Sequence, residues 1–102
     1  MIQAVFYLSD DNYSGFNVSG HSDYSTAGSD IVCASVSSAV QLAANLIEGY
    51  SSVKINERQA AVSLTVVKNN EFVQTVINHL YLHLKTIEQD YNKYIKASKE
   101  VR

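Results

Sequence analysis

The chain has 102 residues, 46% of them apolar and 18% charged, which is enough for one domain and too little for two. A chain of this size buries roughly 60 to 70% of its unfolded surface, so it needs no disulfide or metal staple. A formal net charge of −2 disfavours nucleic acid as a direct partner, because domains that bind it carry a strongly basic face. Seven tyrosines, three phenylalanines and no proline exclude a disordered chain.

Residues Ile2 to Ser9 alternate, with Ile2, Ala4, Phe6 and Leu8 on one side, and read as a strand with one buried face. Asp10, Asp11 and Asn12 are turn formers, and Tyr13 to Ser19 resumes an extended pattern, so a hairpin is expected. Residues 20–29, GHSDYSTAGS, have loop composition with a glycine near each end and are expected to form a flexible loop. Between Ile31 and Glu48 the apolar residues Val32, Val36, Ala39, Val40, Ala43, Leu46 and Ile47 recur with helical spacing. Ser29 or Asp30 is the expected cap of this helix and Gly49 its stop.

Val53 to Asn56 and Ala60 to Lys68 read as two further strands about a turn. Asn69 and Asn70 break the chain. Glu71 to about Tyr94 then carries a long apolar stripe at Val73, Val76, Ile77, Leu80, Leu84, Ile87 and Tyr91, and Lys93, Lys96 and Lys99 suit the end of a helix. The expected order is ββαββα: an α+β domain over residues 1–102 in which an antiparallel sheet packs against two helices.

A single cysteine cannot close an internal disulfide and fits a reducing compartment. The first ten residues lack the basic region of a signal peptide, and no stretch approaches the 18 apolar residues of a spanning helix. A cytoplasmic protein with no membrane partner is the expectation. Charge is uneven along the chain: residues 1–53 hold Asp10, Asp11, Asp23, Asp30 and Glu48 and no Lys or Arg, whereas the remainder is net positive. Such an acidic half can draw in a basic peptide.

Reactive chemistry centres on Cys33. It falls three residues after Asp30, in the first turn of the expected helix, where unpaired N–H groups and the helix dipole favour thiolate. It also lies beside the apolar stripe, and a small packed core thiol is the commoner role for an unpaired cysteine. His21, in the loop that leads into this helix, supplies a base that eleven intervening residues can fold back toward the sulfur. His79 and His83 share the i, i+4 spacing of zinc ligands but have no third ligand on their face, so no metal site is expected.

The string GHSDYSTAGSDIVCASVS, Gly20 to Ser37, resembles the signature of the bacterial ribosomal-processing cysteine proteases, the Prp family. Their pattern is Gly-His-Ala, a short variable loop, then Asp-Ile-Val-Cys-Ala-Ala-Val-Ser. Ser22 and Ser35 stand where the family usually has alanine. The resemblance implies Cys33 as nucleophile and His21 as catalytic base, with Gly20, Asp30 and Ser37 as supporting motif residues. It further implies removal of the short N-terminal extension of ribosomal protein L27 of the large subunit, through a thioester, without cofactor or metal, and a homodimer.

Two supporting roles stay open. Asp30 is either a helix cap or a third member that orients the imidazole. Ser37 either fixes the surroundings of the thiol or bonds the carbonyl of Cys33. The backbone N–H groups near Val32 and Cys33 are the expected holders of the oxyanion. The competing function is a noncatalytic ribosome-associated binding module in which Cys33 is packed core.

Overall fold

The computed structural model describes the backbone of residues 1–20 and 27–102, and the side chains of residues 1–20 and 31–102. Strand β1, Ile2–Ser9, buries Ile2, Ala4 and Phe6, the alternation of a sheet with one covered face. Asp10 and Asp11, both at positive φ (52° and 66°), turn the chain in two residues. That is the pattern of a type I′ hairpin, and aspartate tolerates the left-handed region. Strand β2, Asn12–Ser19, returns antiparallel to β1, with Phe16 opposite Phe6 and Val18 opposite Ala4.

Helix α1, Ala27–Leu46, buries Val32, Val36, Val40 and Ala43, and Ile47 just beyond it, one stripe at helical spacing. Gly49, at φ +78°, sits in the turn that feeds strand β3, Ser51–Asn56. Strand β4, Ala61–Val66, lies antiparallel between β3 and β2. Helix α2, Glu71–Asp90, starts at Asn70, whose side chain accepts the N–H of Val73 at 2.8 Å, the usual Asn cap. Strand β5, Ile95–Val101, closes the chain.

The five strands are ordered β3-β4-β2-β1-β5, and β5 runs parallel to β1, with Ile95 beside Ile2. One cluster of buried residues joins both helices to one sheet face, around Phe6, Phe16, Leu64, Val32, Ile77 and Leu84. Phe6 is its centre, with Phe16, Tyr81 and Tyr13 at ring-centroid distances of 5.4, 5.2 and 6.2 Å. Among the described residues no helix is long and apolar enough to cross a membrane.

Three expectations change. The order is ββαββαβ and the sheet is mixed, where ββαββα and a purely antiparallel sheet were expected, because residues 95–101 form a strand rather than the end of a helix. Accordingly α2 stops at Asp90 instead of about Tyr94. Finally, α1 begins at Ala27, so Ala27, Gly28 and Ser29 are helical rather than loop. Ser29 and Asp30 are then within the helix and do not flank it as caps, since a cap residue has non-helical backbone.

Candidate active site

The site starts from a backbone constraint. Gly20, at the end of β2, has φ +105°, and a Cβ built there would collide with the carbonyl oxygen of Met1. Only glycine accepts both conditions. The close approach pins the end of β2 against the start of β1, directly ahead of position 21. His21 and the rest of 21–26 lie outside the described residues.

Cys33 is half-buried on α1, packed against the edge of the hydrophobic cluster. It opens onto a cavity of about 830 Å³ that Gly20 and Ser37 also line. Three motif residues expected to act together, Gly20, Cys33 and Ser37, thus border one space. Asp30 belongs to α1, three residues before Cys33. The cavity runs between α1 and strands β3 and β4, with Val53, Ile55 and Val62 on its sheet side.

Cys33 does not sit where the spacing alone put it. It is the seventh residue of α1, not a member of the first turn. Only the first four N–H groups of a helix lack an internal partner. The N–H groups of Val32 and Cys33 therefore belong to the internal ladder and do not point outward to meet an oxyanion.

Other residues at this cavity carried no chemical motif. Gln41, Asn45 and Glu48 line it from α1 and the turn after it. Their spacing from Cys33 and Ser37, close to one helical turn at each step, was the available signal. His79 and His83 lie elsewhere, both exposed, on a separate cavity of about 640 Å³ between α1 and α2 beside Leu42 and Leu46. Among the described residues no group of three His, Cys, Asp or Glu could hold a metal ion.

Comparison with known proteins gives these features a family. The profile of a family described as cysteine protease Prp matches residues 1–96. The Ribosomal processing cysteine protease Prp of Staphylococcus aureus strain Mu50 is 30% identical over 84 residues, which cover 78% of this chain and 79% of that protein. A crystal structure of the S. aureus protease Prp in complex with a covalently linked product peptide superposes with a TM-score of 0.86 at 25% identity, covering 98% of this chain and 100% of that one. The Streptococcus mutans protein SMU.848 shares the fold, with a TM-score of 0.85 at 22% identity over 100% of this chain and 96% of that one. With nearly the whole sequence matched, the chain belongs to the Prp family of cysteine proteases.

Proposed function

We propose that this protease removes the short N-terminal extension of ribosomal protein L27, with Cys33 as nucleophile and His21 as base. The observation that carries the proposal is the position of Cys33, the only cysteine of the chain, on the wall of a cavity of about 830 Å³ between α1 and the sheet. Support comes from the S. aureus relative, described as a ribosomal processing protease and solved with a covalently linked product peptide.

In this mechanism the imidazole of His21 takes the proton of the Cys33 thiol, and the sulfur attacks the carbonyl carbon of the scissile peptide bond. The C–N bond breaks, the departing amine takes the proton from the imidazolium, and a thioester remains on Sγ. Water, deprotonated by the same imidazole, hydrolyses the thioester and frees the enzyme. Gly20 holds the chain in place next to His21. Ser37 lies one turn beyond Cys33, and Asp30 one turn before it; they act as positioning residues for the thiol and the imidazole.

The test is to mix the purified protein with a peptide copying the ribosomal extension and follow the products by mass spectrometry, with Cys33→Ser and His21→Ala alongside. One cut by the wild type, none by Cys33→Ser, and loss of activity on alkylation with iodoacetamide are expected. Cleavage that survives Cys33→Ser would overturn the assignment.

A further inference from the structure

The cavity beside Cys33 has two unlike walls. On the helix side, Cys33, Ser37, Gln41, Asn45 and Glu48 form a polar row beside the apolar Val36, Val40 and Ala44, four residues per step until the last, which is three. On the sheet side, Val53 and Ile55 are 43% and 69% exposed. Their strand partners are Leu64 and Val62, so they lie on the face that the helices cover elsewhere. Apolar residues left open on the covered side of a sheet mark a place where something else packs, and the space is continuous with the nucleophile.

An extended peptide fits both walls. Four residues of helix rise about 6 Å, and two residues of extended chain advance about 6.6 Å. Alternate side chains of a bound peptide therefore meet successive members of the polar row, while those between lie on Val53, Ile55 and Val62. From Cys33 to Leu46, the last residue of α1, the helix rises about 20 Å, the length of about six extended residues, and Glu48 follows in the turn beyond. The row ends in a carboxylate, and among the described residues no ion pair engages Glu48.

We infer that Glu48 is a specificity residue that takes a lysine or arginine of the substrate about six residues from the scissile bond. The inference rests on the cysteine protease reading of Cys33 and adds a second recognition point at the far end of the same trough. The side chain recognised is cationic, and the gap between it and the cut is set by the stretch of α1 from Cys33 to its end and by the turn that carries Glu48.

The experiment uses a set of alanine-rich peptides with one scissile sequence and a single lysine moved through each position up to eight residues on either side. Cleavage rates are taken with wild type, Glu48→Gln and Glu48→Lys, and affinities with the same three in a Cys33→Ser background, so that a binding readout exists without turnover. For the wild type, lysine about six residues from the cut on one side should raise kcat/KM about two- to fivefold over the lysine-free peptide, the scale of an exposed ion pair. That ratio should fall to one in Glu48→Gln and invert in Glu48→Lys, which should instead favour glutamate at the same place. Glu57→Gln, outside the trough, should keep the wild-type ratio.

A ratio equal at all positions, or one that Glu48→Gln leaves intact or Glu57→Gln also abolishes, would overturn the role of Glu48. Cleavage persisting in Cys33→Ser would instead overturn the underlying reading. Absence of both cleavage and binding for every peptide would overturn both.

Discussion

Glu88, near the end of α2, accepts a hydrogen bond from the backbone N–H of Ala97 in β5 at 2.7 Å. Lys85, one turn earlier, donates to the carbonyl of the same residue at 3.1 Å and pairs with Glu88 at 3.3 Å. Both backbone groups of Ala97, which face away from β1, are thereby used, which blunts this part of the edge strand.

The Ala97 N–H holds the Glu88 carboxyl below its ordinary value; partial burial opposes this and Lys85 reinforces it. A carboxyl with a lowered folded pKa contributes stability that is whole above the unfolded pKa and is lost as pH falls through the folded one. Glu88→Gln keeps a neutral acceptor, so it should be about 1 kcal/mol less stable at neutral pH. The gap should close as pH falls below about 4.3, the ordinary glutamate range. Urea unfolding of both proteins from pH 7 to 3 reads this directly, and parallel curves would contradict it.

Gly20→Ala should lose both stability and cleavage. The left-handed backbone and the collision with the Met1 carbonyl together should cost at least about 2 kcal/mol. Since the strain falls next to His21, kcat/KM for a reporter peptide should drop further than the folded fraction does. A fully active, equally stable Gly20→Ala would refute this use of the glycine.

Lys99 in β5 places its ammonium 4.7 Å from the Tyr81 ring centroid and 5.4 Å from that of Tyr13. Lys99→Gln should lower stability by about 1 kcal/mol through loss of the cation–π contacts, while Lys99→Arg should retain most of it. Thermal unfolding separates the two variants, and equal midpoints would argue that the stem alone matters.

Asp30→Asn distinguishes positioning of the imidazole from a dipole effect. Because Asp30 lies in the first turn of α1, loss of its charge should cost about 0.5 kcal/mol of stability by the helix dipole alone. Because Asp30 is assigned to orient His21, the substitution should in addition depress kcat and shift its pH profile. Nearly full activity with an unchanged profile would remove Asp30 from the mechanism.

Most of the scaffold was legible because its faces are amphipathic. Phe6 and Phe16 on alternating strands, and Val73, Ile77, Leu80 and Leu84 on α2, announce their buried sides. Strand β5 was not legible: IKASKEV has only Ile95 and Ala97 buried, and Lys93, Lys96 and Lys99 imitate the basic end of a helix. Its state is decided by pairing with β1, a contact between opposite ends of the sequence, and local propensity does not report it. The first turn of α1 was hidden by Gly28 and Ser29, which read as loop. At the site, the Cys33 motif was legible from its resemblance, whereas the trough beyond it was not, since Gln41, Asn45 and Glu48 are ordinary surface helix residues until β3 faces them.

The parallel partnership of β1 with β5 sets the timetable of assembly. Ile2 finds its neighbour at Ile95, far along the sequence, so one flank of β1 stays bare until that distant contact forms. Closing so distant a contact is slow, and the waiting edge is exposed to misassociation.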